Sequence, residues 1–308
     1  MTTIEAAGII GRLLQFAAAA VLTGGPLFFL YAVTPKGGER WPMRLIRIAA
    51  GMGIVGTLGW LMTQAGQIGD TPAAAFDPAV VWSVGVDTSF GRVAALRLIL
   101  FLAALLATFL PARRRSYWLL LTTLGAVAAA SFAWTGHGVR DEGMAGVAHL
   151  AADVLHLLAA FVWIGALAAL VLLVWFARRE CSATQGPDAL LGLVRFSGIG
   201  AAVVAALVAS GLANSWFLVG PNGLGRMLSS PYGLLLLVKL MFFGAMLILA
   251  AANRYRHTPQ LERALQSGQL DGRALRPVLA SVVTETGLAV AVLVLVSWLG
   301  TLSPPIDA

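Results

Sequence analysis

Charge and cysteine are what this chain has least of. Only 11% of its 308 residues are charged, against 59% that are hydrophobic. An ordinary soluble domain carries about 25% charged residues, so a soluble globular protein is excluded. The single cysteine, Cys181, leaves no disulfide framework, no CxxC pair and no thiolate cluster for a soft metal. The apolar runs are long and unbroken, without the ~10-residue alternation of a membrane barrel. No basic residue precedes Arg12, so the first apolar stretch lacks the charged start of a cleaved signal and reads as a retained helix. There is no G-x4-G-K-[ST] loop, and no loop is long enough to hold a nucleotide domain. ATP-driven work is therefore not expected, and nothing points to an enzyme.

What remains is an all-α polytopic membrane protein, with a mean hydropathy of +0.85. Eight segments reach the ~20 residues that a ~30 Å hydrocarbon core demands. They run from about Glu5 to Val33, Leu45 to Ala65, Gly91 to Leu110, Tyr117 to Thr135, Met144 to Phe176, Leu190 to Leu218, Tyr232 to Asn253 and Val278 to Leu302. The net charge of +7 comes from basic loops rather than from a nucleic-acid surface. Lys36, Arg40, Arg44 and Arg47 mark loop 1–2. Arg113, Arg114 and Arg115 mark loop 3–4, and Arg178 and Arg179 mark loop 5–6. Arg254, Arg256, Arg263, Arg273 and Arg276 mark loop 7–8. The positive-inside rule puts these loops in the cytoplasm and both termini in the periplasm. The loop holding Asp70, Asp77 and Asp87 then faces outward.

An internal repeat is legible within this single membrane domain, residues 1–308. Leu14–Ala19 lines up with Leu155–Ala160, and Gly24 with Gly165. Phe90-Gly91 and Arg97 line up with Tyr232-Gly233 and Lys239. An even number of spans per half makes this a parallel repeat of two four-helix units, residues 5–135 and 144–302. Arg12 falls opposite Asp153 and Gln15 opposite His156, so the metal-competent side chains collect in the second half.

Three of the four histidines lie between His137 and His156. The fifth span carries His149, Asp153 and His156, and steps of four and three put them on one helical face. Ionisable groups inside an apolar span are costly and mark function by default; the bland alternative is a buried polar network that fixes packing. Imidazole suits Cu, Zn and Ni, and thioethers suit Cu(I). His149 and His156 are ~10 Å apart along the axis, too far to share one ion in an unbroken helix. The expected arrangement is an outer site, with His137 folding down to His149, and a deeper position at His156. Asp153 bridges them or orients an imidazole. Met144 could add a thioether, although an ordinary interfacial methionine is the plainer reading.

Arg97 and Lys239 lie about 9 Å inside their spans. They could snorkel outward, neutralise Asp153 or gate a cation path. Arg195 and Glu285 are expected to form a structural ion pair. Gln15, Gln64 and Asn214 are modest candidates for a polar path.

The motif His149-x3-Asp153-x2-His156, followed by Trp163-x-Gly165, resembles the copper resistance protein D (CopD) family. The resemblance extends to Ser230-Pro231-Tyr232-Gly233 with Lys239, to Asn253-Arg254-Tyr255-Arg256, and to Gly300–Pro305. It implies a bacterial inner-membrane protein that moves copper ions from periplasm to cytoplasm. It also implies a separate periplasmic copper-binding partner of the CopC type. Two rivals stand beside it. A haem-bearing electron carrier would want axial histidines on facing helices, whereas both intramembrane histidines here share one. A copper docking or delivery protein would bind the ion without transporting it. No ligand cluster is evident at the cytoplasmic end.

Overall fold

The computed structural model describes residues 2–35, 40–110, 115–136, 143–180, 185–220, 225, 227–268 and 272–302, with the backbone alone at Glu180 and Gln185. Among them are helices and turns but no strand. Eight helices are long and apolar enough to span a membrane. The first half holds α1 (Thr3–Tyr31), α2 (Trp41–Ile68), the short α3 (Pro78–Asp87), α4 (Ser89–Ala107) and α5 (Arg115–Ala130), which a 3-10 turn continues to Thr135. The second half holds α6 (Gly143–Glu180), α7 (Gln185–Leu218), α8 (Pro231–Ala252), a π-turn (Asn253–His257), the short α9 (Thr258–Gln266) and α10 (Arg276–Leu299). The expected all-α, eight-span architecture is what the chain adopts.

Local chemistry explains where the helices begin. Thr2 and Glu5 form a reciprocal capping box at the start of α1. The Thr88 hydroxyl caps α4 by accepting from the Gly91 N–H at 3.0 Å, and Ser230 caps α8 by accepting from the Gly233 N–H at 3.1 Å. Two spans start about a turn earlier than the hydrophobic runs suggest, α2 at Trp41 and α7 at Gln185. Pro42 and Pro187 fall in those first turns, where the missing N–H costs nothing. The loop carrying Asp70, Asp77 and Asp87 is not plain coil. It folds into a 3-10 turn and α3, whose first turn is capped by Asp77 through the Ala79 N–H at 2.9 Å.

α1 is the hub and packs against α2, α5 and α6. Its buried face is built of small residues, with Ala18, Ala19 and Ala20 fully enclosed. Without a hydrophobic drive between helices in lipid, such close backbone approach is what association rests on. The tightest crossing is α1 on α6. A Cβ at Gly24 would strike the Phe161 and Val162 carbonyls, and one at Gly165 would strike the Ala20 carbonyl. Gly125 does the same for α5, lying against the Leu22 carbonyl, whose helical partner Pro26 cannot supply.

At the opposite extreme is α8, which is almost entirely peripheral. It leans on α10 and barely touches α7, whereas α2 and α4 are well packed, with Gly53 directly under the Phe101 ring.

Candidate metal site

α6 enters the bundle with His149, Asp153 and His156 on one face, and all three line one cavity of ≈ 170 Å³. Its other walls come from α1, α7, α8 and the end of α10. His149 is only 2% exposed, and its ring stacks on Phe217 of α7 at 4.6 Å between centroids and 10° between planes. Asp153 Oδ1 accepts from Asn214 Nδ2 at 3.4 Å. The oxygen of that amide, Asn214 Oδ1, is buried without a hydrogen-bond partner.

His156 is oriented by α7. Its Nδ1 lies 3.1 Å from Ser210 Oγ. The single hydroxyl proton of Ser210 goes to the Ala206 carbonyl at 2.6 Å, so Ser210 accepts and His156 Nδ1 donates. This tautomer leaves the Nε2 lone pair available, the arrangement that second-shell partners impose on metal-binding imidazoles. Gly211 lies beside the ring, where a Cβ would meet His156 Cε1 at 3.5 Å, an ordinary contact.

Two cations share the cavity. Lys239 reaches it from α8 and Arg12 from α1, where Arg12 Nη1 donates to the Gly300 carbonyl at 2.7 Å. With Asp153 as the facing carboxylate, the lining is net positive whenever both cations are charged and the histidines neutral.

The remaining candidates separate. His137 lies outside the described residues. Met144 is 84% exposed at the start of α6 and does not line the cavity. Among the described residues, no group of three His, Cys, Asp or Glu side chains converges as metal ligands. Gln64 bonds to Gln67 and is off the path. Arg97 does not snorkel and does not meet Asp153. It is 2% exposed, donates to Ser131 Oγ at 2.8 Å, the Ser131 carbonyl at 3.1 Å, Thr135 Oγ1 at 2.5 Å and Gln15 Oε1 at 3.3 Å, and lies over the Phe132 ring. The first half thus puts Arg97 against Gln15 where the second half puts Lys239 by His156, but with every polar group satisfied.

The expected Arg195–Glu285 pair does not form. Arg195 donates to the Tyr31 and Ala32 carbonyls at 3.1 and 3.0 Å, where the end of α1 leaves acceptors without helical partners. Glu285 accepts from Trp163 Nε1 at 2.9 Å and from Asn253 Nδ2 at 3.1 Å.

Sequence reasoning missed Arg12, Ser210 and Tyr232 as part of the site. Ser210, Gly211, Asn214 and Ser215 do make a helical stripe of small polar residues, but such stripes also serve ordinary packing between membrane helices. Below His156 a second, mostly apolar cavity of ≈ 260 Å³ continues between α6, α7 and α8 toward Trp163, Phe243 and Met246.

The fold and this lining define a multi-pass membrane protein with a polar, histidine-bearing cavity at one end of the bundle. The family model for the N-terminal domain of copper resistance protein D-like proteins matches residues 1–147, and that for copper resistance protein D matches residues 191–299. The chain belongs to the copper resistance protein D family. Copper resistance protein D of Pseudomonas syringae pv. tomato is 44% identical over 191 residues, 62% of this chain and 60% of that protein. Inner membrane protein YebZ of Escherichia coli (strain K12) is 28% identical over 85% of each chain. Copper transport protein CutJ of Bacillus subtilis (strain 168) is 28% identical over 79% of this chain but 45% of its own length. The matched region thus spans 60% of the Pseudomonas protein and less than half of the Bacillus protein. No solved structure matches at a significant level. Relationship and architecture together make this a multi-pass inner-membrane protein.

Proposed function

We propose that the protein is a copper permease, not an enzyme, which takes copper from the periplasmic side and passes it inward along α6. The observation that carries this is the joint exposure of His149, Asp153 and His156 in one cavity, in a chain of the copper resistance protein D family. His156 Nε2 is the inner ligand, and His149 with Asp153 forms the outer one. Lys239 holds Asp153 until copper displaces it. His137 and Met144 belong to the periplasmic approach, where a separate CopC-type protein delivers the ion. Inward movement of a cation gains ~2.3 kcal/mol per charge per 100 mV of membrane potential, negative inside, so no nucleotide is needed.

The same proposal includes the parallel repeat with both termini outside. Its support is that aligned residues take like roles. Thr88–Gly91 and Ser230–Gly233 cap α4 and α8 alike. Gly24 meets the carbonyl of residue 161 while Gly165 meets that of residue 20, as a two-fold relation between α1 and α6 requires.

Sealed vesicles of known orientation test the proposal. Time-dependent copper accumulation is expected in wild type, with at least a tenfold loss in His156→Ala and in Asp153→Asn. Copper that binds, is lost with His149→Ala and never accumulates would make the protein a docking or delivery site.

A further inference from the structure

At the end of the bundle opposite His149, a second buried polar group has no part in the copper proposal. Glu285 of α10 is 0% exposed. Trp163, which donates to it, lies seven residues below His156 on α6, about 10 Å deeper. Both of its hydrogen-bond donors, the Trp163 indole and the Asn253 amide, are neutral. A carboxylate enclosed this way carries an uncompensated charge, which is expensive in a low-dielectric interior.

Three further observations surround it. Asn253 is 5% exposed, and its Oδ1 has no hydrogen-bond partner. Ser281 lies one turn before Glu285 on the same buried face of α10, and its Oγ is also unpartnered. Asn253 opens the five-residue π-turn between α8 and α9; such wide turns recur at functional sites because they push a residue out of helical register. A carboxylate, an amide oxygen and a hydroxyl are hard oxygen donors. They suit neither Cu(I) nor a thiophilic metal, and a single negative charge balances a single positive one.

We infer that Glu285, Asn253 and Ser281 form a binding site for one monovalent cation, a proton or sodium, in the inner half of the bundle. The charged and titratable groups on the elements packed against α10 leave it to these neutral partners. Arg12 on α1 bonds to Gly300 at the far end of α10. His156 on α6 and Lys239 on α8 line the outer cavity. Arg254 and Arg256 of the π-turn are exposed, while His257 is half-buried with an unpartnered Nδ1. The apolar cavity beginning at His156 ends beside Trp163, which donates to Glu285. The site does not rest on the copper proposal and can exist in a protein that moves no copper.

The test uses the purified full chain in lipid nanodiscs. The carboxyl C=O infrared band is followed across pH in potassium and in choline salts, and bound ²²Na⁺ is counted at fixed pH. Expected for the proton is a titrating carboxyl band that is missing in Glu285→Gln. Expected for sodium is about one saturable ²²Na⁺ per chain, lost in Glu285→Gln and weakened at least fivefold in Ser281→Ala and Asn253→Ala. Trp163→Phe should retain the cation, since Asn253 remains as a donor to Glu285. Ser281→Ala keeps the carboxylate and its donors, so it reads the site even where Glu285→Gln fails to fold. A band and a sodium count identical in wild type and Glu285→Gln would overturn the inference. So would a sodium affinity unchanged in Ser281→Ala where sodium binds.

Discussion

At the scale of the residue, the site is a competition between donors and charges. The Nε2 of His156 is free because Ser210 spends its proton on its own helix. Ser210→Ala should therefore let the imidazole rotate and weaken copper binding about tenfold, the lower end of what loss of an orienting partner costs. Ser210→Thr should keep the affinity; equilibrium copper binding on both variants checks it. His149, Asp153 and His156 were legible in the sequence because ionisable groups stand out in an apolar helix and their spacing fixes a shared face. Arg12 and Lys239 stood out equally as charges. Which cavity they enter was not legible, because a long flexible side chain can snorkel or turn inward from the same Cα. The mistaken Arg195–Glu285 pair has the same origin. Depth in the membrane suggested that opposite charges would meet, whereas the end of helix α1 takes Arg195 and two neutral donors, an indole and an amide, take Glu285.

At the scale of the element, glycine decides how close the helices come. Gly165→Leu should push α6 off α1 and destabilise the protein by about 3 kcal/mol, since backbone rather than a yielding side chain opposes the new atoms. Gly51→Ala, in the interior of α2 where a Cβ meets nothing within 4 Å, should instead stabilise by about 0.5 kcal/mol. Thermal unfolding in detergent compares the two. The eight spans were readable from hydropathy and length. The short helices α3 and α9 and the π-turn were not, because loop charge masks local turn chemistry, and a register shift of one residue leaves no compositional trace. Nor could periodicity show that α2 and α4 pack while α7 and α8 hardly touch.

At the scale of the whole molecule, the expected topology needs no engineered label. Cys181 is the single cysteine, and in sequence it follows Arg178 and Arg179, which the positive-inside rule assigns to the cytoplasm. A membrane-impermeant maleimide should leave it unmodified in intact spheroplasts and modify it once the membrane is opened. Modification in intact spheroplasts would invert the topology and, with it, the side from which His149 is reached. The family relationship covers both halves of the chain, but the asymmetry between the halves lies in the packing. The first half is closed and satisfied around Arg97; the second is open around Lys239.

That openness has a mechanical consequence. α8 carries Lys239 into the site, yet it is held to the protein chiefly through α10 and faces acyl chains over most of its length. Few contacts other than those to α10 fix its position. Because Lys239 rides on the helix least held by protein, the charge beside the histidines is tied to the bundle mainly through α10, and a substitution that loosens the α8–α10 contact would shift it without altering any other wall of the cavity.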